Sequence, residues 1–200
     1  PEDADNDGWI DHVTVWLPGG FDSDARAKLS GLRKLWLNPK NRDPDDAETH
    51  ARAVKEWHLA LEGFGQPEDF APASRLFGKS RVWTSLTPFL AAGHLKKGGY
   101  AAEVRRLLVR RKLVDEDAVA AVAVKDLQED KDFKGLSYGG KTLRPIHFHR
   151  FRSRRGEHQP DSQGTVLTLT FPTDQPGPLA LGFASHFGLG LFGPSHGQPP

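Results

Sequence analysis

Two hundred residues suffice for one domain, or two small ones, with a real core. The formal net charge is +1, so the chain as a whole does not declare a polyanion partner, and the absence of cysteine excludes disulfides and thiolate metal sites. No apolar run reaches membrane-spanning length and no signal peptide is visible, which makes the cytoplasm the expected compartment; a chain that lacks Met and starts at Pro1 reads as a piece of a longer protein.

The first eleven residues are strongly acidic. Asp3, Asp5 and Asp7, followed by Gly8, spell the first two-thirds of a calcium loop, in which alternate carboxylates converge on a hard cation. Thr14 stands where the bidentate carboxylate belongs, and the following residues read as a strand, so a solvated acidic turn is the preferred reading. Residues 9–17, WIDHVTVWL, alternate and predict that strand, with His12 on the face of Ile10, Thr14 and Trp16. Pro18-Gly19-Gly20 ends it. Asp22 or Ser23 caps a helix whose apolar positions are Ala25, Leu29, Leu32, Leu35 and Trp36. Asn38-Pro39 stops the helix, 38–53 is a polar connection, and strands are expected at 57–64 and 81–90.

Residues 91–100, AAGHLKKGGY, place His94, Lys96 and Lys97 between glycines. One imidazole and two ammonium groups on such a loop suit phosphate handling; a solvated basic turn has the same composition. Residues 100–112 form an amphipathic helix, Val104, Leu107 and Leu108 inward and Arg105, Arg106, Arg110 and Arg111 outward, where they either bind phosphate or are merely solvated. Residues 114–127 read as a helix capped by Asp115, and 128–143 as a charged connection.

Residues 141–155 hold six cations, Lys141, Arg144, Arg150, Arg152, Arg154 and Arg155, and no carboxylate. Within them 146–152, IHFHRFR, alternates as a strand with His147, His149 and Phe151 on one face. Two histidines two apart can ligate zinc, but no third ligand lies near in sequence; a basic, aromatic strand tracking a nucleic-acid backbone fits better. Phe148, Phe151 and Phe187 are candidates for base stacking, with burial in a core the commoner fate of such residues. A strand follows at 164–172.

The stretch 177–194, GPLALGFASHFGLGLFGP, dominates the C-terminal part of the chain. Gly177, Gly182, Gly188, Gly190 and Gly193 alternate with large apolar groups. Glycines so close together let a backbone approach a ligand and turn its N–H groups outward. The competing reading, equally weighted, is a packed terminal strand with glycine where another backbone passes. Residues 195–200 read as a disordered tail.

This order of elements predicts an α+β, ferredoxin-like (RRM-like) architecture, tandem or elaborated, and no glycine-rich nucleotide motif falls between a strand and a helix. GPLALGFASHFGLGLFGP resembles the C-terminal glycine-rich loop of the CRISPR-associated RAMP superfamily. IDHVTVWLPGGF, WTSLTPFLAAGHLKKGG and FHRFRSRRG, in that order ahead of it, resemble the processing half of the type I-G (formerly I-U) backbone–processing nuclease fusion. The resemblance implies one RNA-processing RAMP domain over 1–200, with ferredoxin-like halves at about 9–127 and about 144–194.

It further implies a metal-independent, cofactor-free endoribonuclease that matures CRISPR precursor RNA for antiviral defence, with repeat RNA and other type I effector subunits as partners and no membrane. In such a cleavage the 2′-hydroxyl attacks the adjacent phosphate, one group accepts its proton, another protonates the leaving 5′-oxygen, and cations offset the phosphorane charge. Relatives keep a histidine just after the first strand; Pro18–Lys34 contains none. The role then passes to His94 with Lys96, to His12, or to His186. RNA binding falls to Lys97, Arg144, Arg150, Arg152, Arg154 and Arg155, and to the backbone at Gly182, Gly188 and Gly190. Two alternatives are a non-cleaving subunit that holds the mature RNA, and a calcium-stabilised interaction module built on Asp3, Asp5 and Asp7.

Overall fold

The computed structural model describes residues 11–36, 56–72, 74–138, 141–148 and 161–195. Of these, His12 to Phe64 form an N-terminal unit, and Asp11 with the residues from Gly65 onward form a C-terminal unit.

In the N-terminal unit, Asp22 opens α1 (Ser23–Gly31) by accepting the Ala25 N–H at 2.8 Å, as the sequence predicts. Asp24 and Lys28 pair across one turn at 2.7 Å. The helix does not run on through Leu35 and Trp36. Glycine at Gly31 is a poor helix interior, Leu32 is extended, and Lys34–Trp36 instead form β1, antiparallel to β2 (Glu56–His58), with Leu35 opposite Trp57. Two further strand expectations are corrected. Of the strand expected at 9–17, residues 9 and 10 lie outside the described residues and 13–17 form no strand, and the one expected at 57–64 ends at His58. Val13, Val15, Trp16 and Leu17 all stay exposed; alternation without a core face to bury fixes no register.

The C-terminal unit begins with a single turn, α2 (Pro67–Phe70), where proline occupies the first helical position and the Asp69 carboxylate accepts the Gln66 N–H at 2.8 Å. Then come β3 (Lys79–Ser85), α3 (Gly99–Arg110), β4 (Ala123–Asp126), the paired β5 (Leu136–Tyr138) and β6 (Lys141–Leu143), β7 (Leu167–Pro176), β8 (Leu179–Ala180) and β9 (Leu191–Pro194). Five of these strands make one sheet in the order β4-β7-β3-β9-β8, every neighbour antiparallel. Since β3 and β4 both oppose β7, they run parallel to each other, joined through α3 with β7 between them. The fold is α+β, and its sheet draws β3 and β4 from 9–127 and β7 to β9 from 144–194.

The core lies between this sheet and α3. Trp83, Phe89, Val122, Leu167, Leu169, Leu181 and Phe192 meet Val104, Leu107 and Leu108, the three helix positions the spacing selects. Other expectations give way to burial and pairing. Residues 114–127 are not a helix: Val119–Ala121 make one 3₁₀ turn, Val122 is fully buried, and β4 pairs with β7. The β-branched valines gain more from that half-buried sheet than from a helix. The third strand ends at Ser85, not Leu90: the Leu86 and Thr87 N–H groups both turn to the Leu191 carbonyl, at 2.7 and 3.2 Å, and break the ladder's alternation. The strand expected at 146–152 is, where described, a 3₁₀ turn over Pro145–Phe148. Proline presets that turn, and it is closed by the His147 N–H on the Arg144 carbonyl and the Arg144 N–H on His147 Nδ1, both at 3.0 Å.

Candidate nucleic-acid interface

Residues 86–91 lie between two other stretches of chain and bond to both. On one side Phe89 exchanges both backbone bonds with Thr165 at 2.8 Å, and the Ala91 N–H reaches the Asp161 carboxylate at 3.0 Å. On the other, the glycine-rich stretch docks: Phe183 N–H on the Leu90 carbonyl and Gly190 N–H on the Pro88 carbonyl, both at 2.8 Å. The Thr87 hydroxyl donates to the Gly188 carbonyl at 2.7 Å and accepts the Leu191 N–H at 2.9 Å.

The glycines divide by use. Gly182 (φ +92°) and Gly190 (φ +59°) sit so close to the Leu90 and Leu181 carbonyl oxygens that a Cβ at either would collide with them. These two follow the packed-backbone reading. Gly188 (φ +86°) faces open space, but its N–H goes to Ser185, that of Leu189 to Ala184 and that of Gly190 to Pro88. The amides from 188 to 190 are therefore donated within the protein rather than turned outward. What the loop does present is its tip, a 3₁₀ turn over Ser185–Phe187 with exposed His186 and a Phe187 that is 66% exposed rather than part of the core.

The tip is braced from α3. The Arg111 guanidinium donates to the Ala180 carbonyl and, at 3.1 Å, to the Ser185 hydroxyl. Arg105 grips the Val122 carbonyl with two N–H groups at 3.1 and 3.0 Å. Arg106 forks onto Glu103 at 2.8 and 2.7 Å, a bond that raises its already high pKa. Of the four helix arginines, only Arg110 has no side-chain partner among the described residues, so three are structural where the sequence left phosphate binding open.

His94, Lys96 and Lys97 stand on 92–98, every residue of which is exposed. His12 belongs to the N-terminal unit, its Nε2 at 3.2 Å from the Glu62 carboxylate. Arg144 is exposed beside the turn after β6. Arg150, Arg152, Arg154, Arg155, His149, Phe151, Asp3, Asp5 and Asp7 lie outside the described residues. Among the described residues no group of three His, Cys, Asp or Glu is arranged to hold a metal ion, and no helix is long and apolar enough to cross a membrane.

Sequence reasoning missed Asp161. It is only 8% exposed and accepts from Ala91, from the Tyr100 hydroxyl at 3.2 Å, and from the Gln163 and Gly164 N–H groups at 3.1 and 3.0 Å. Burial, then the nearby Asp161 charge, push the Tyr100 pKa far above its ordinary value. The local signal was Asp161-Ser162-Gln163-Gly164, an aspartate able to bond its own backbone two and three residues on. Comparison with protein-family models, with curated proteins and with solved structures finds no match to this chain.

Proposed function

We propose that the protein is a RAMP-type endoribonuclease that binds CRISPR repeat RNA and cuts it by 2′-hydroxyl attack without a metal. The observation that carries this reading is the segment 86–91. It leads directly into the exposed loop bearing His94, Lys96 and Lys97, and it also holds, through Leu90, the glycine-rich stretch that presents His186 and Phe187. A parallel β3–α3–β4 pair split by β7, with β9 on the far side of β3, supports the ferredoxin-like assignment, the glycine-rich stretch replacing the second crossover helix. The imidazoles of His94 and His186 serve as the acid and base of the cleavage. Lys96 and Lys97 offset phosphorane charge, and Arg144 with the basic residues up to Arg155 neutralises phosphates along the strand.

The test is incubation with labelled repeat RNA in excess chelator, followed by end-group analysis. A 2′,3′-cyclic phosphate product is expected; dependence on an added divalent ion, or indifference to the RNA, would overturn the proposal. His94→Ala should leave RNA binding intact and slow cleavage by roughly 100-fold, the usual size of a lost acid–base group. One observation favours a second reading, an RNA-holding subunit without cleavage: neither His94 nor His186 has a side-chain partner among the described residues to orient its ring. Tight binding of intact RNA in the same assay would decide for it.

A further inference from the structure

We infer that Asp161 is a positioning residue whose buried carboxylate fixes both ends of the loop carrying His94, Lys96 and Lys97. Its two oxygens divide the task. Oδ1 closes its own turn by accepting from Gln163 and Gly164, where Gly164 takes a left-handed φ of +64°, and it also accepts the Tyr100 hydroxyl. Oδ2 accepts the Ala91 N–H. Ala91 is the last buried residue before the exposed run 92–98, and Tyr100 lies in the first turn of α3 just after it. One side chain thus brackets a loop that has no buried residue of its own. The bracket is stiffened by the Phe89–Thr165 pair and by the Tyr100 ring standing edge-on to Phe89, centroids 6.1 Å apart.

A carboxylate is required, and an amide does not replace it. Among the described residues, the groups facing the two oxygens are hydrogen-bond donors: three N–H groups and one O–H. An asparagine brings an NH₂ group to one side, and if its oxygen stays with the turn, that NH₂ confronts the Ala91 N–H. Fixing the ends of a loop lowers the number of conformations the groups between them sample. The catalytic consequence rests on the RNA-cleavage reading above; the bracket itself does not.

Hydrogen exchange by NMR on the full chain separates the two. In Asp161→Asn the Ala91 amide should exchange roughly tenfold faster or more, beyond any change in the ladder amides of Trp83 and Leu169. A single common factor for all three amides, or an unmoved Ala91, overturns the inference. If Asp161→Asn does not fold, Tyr100→Phe keeps the ring on Phe89 and should speed exchange of the Gly99 amide several-fold with Trp83 unchanged; no effect on Gly99 overturns it equally. With repeat RNA, Asp161→Asn should lower the single-turnover cleavage rate roughly tenfold at unaltered RNA affinity. A loosened Ala91 with unaltered cleavage refutes the positioning role. A wild-type chain that does not cut RNA refutes the nuclease reading, and exchange alone then decides the bracket.

Discussion

In the N-terminal unit Val15 is 54% exposed and α1 buries nothing, whereas in the C-terminal unit Trp83, Phe89, Leu108, Leu169 and Phe192 are all fully buried. The first is held where it is described by local devices: the Asp22 cap, the Asp24–Lys28 and Lys34–Glu56 pairs, and Arg26 over the Phe64 ring. Exposed ion pairs of this kind contribute roughly 0.2–1 kcal/mol each. A fully buried large side chain contributes about 1.5–3 kcal/mol by transfer alone. The contrast teaches that the same apolar alternation is structure in one unit and surface in the other, according to whether a second layer covers it.

The comparison breaks first on tryptophan. Trp83→Ala should cost about 3–5 kcal/mol in urea unfolding, from lost burial and from the cavity left behind, while Trp16→Ala should stay within about 0.5 kcal/mol. Equal costs would mean that Trp16 is packed as tightly as Trp83, against the 43% and 0% exposures of the two. Gly190→Ala should come next, at about 2–3 kcal/mol, because a left-handed φ and the Leu181 carbonyl both oppose a Cβ; Gly188→Ala, strained in φ but unobstructed, should cost about 1 kcal/mol. The smallest effect concerns Tyr100. Its pKa is raised in the folded state, so the folded chain keeps the phenol proton after the unfolded chain has lost it. The resulting stability is complete below the ordinary tyrosine range, near pH 10, and declines as pH rises through and beyond it. Alkaline melting curves should show that decline in the wild type and a shallower one in Tyr100→Phe; parallel curves would remove Tyr100 from the account.

Legibility in the sequence followed the same division. α3 could be read because Val104, Leu107 and Leu108 face one core, and Asp22 because a cap is a local event. Residues 13–17 and 59–64 misled because no core buries their apolar positions, Val15, Trp16, Leu61 and Phe64 all staying exposed, and 114–127 because valines and alanines fit either state until β7 supplies a partner. At the candidate site, glycines flanking His94 announced an exposed loop. The fates of Arg105 and Arg111 were hidden, since no sequence shows which carbonyl, Val122 or Ala180, awaits a donor. Asp161 was hidden for the same reason: its partners Tyr100 and Ala91 are 61 and 70 positions away.

The segment 86–91 carries a consequence for how the molecule assembles. Its bonds to Gly188 and Leu191 span 101 and 104 positions, and those to Asp161 and Thr165 are nearly as remote. While the ribosome is still adding residues beyond α3, β3 and the residues after it have neither flank available. Closure of the sheet must wait for the chain to be synthesised past β9, which makes the final step slow, non-local and exposed to mispairing until the last strand arrives.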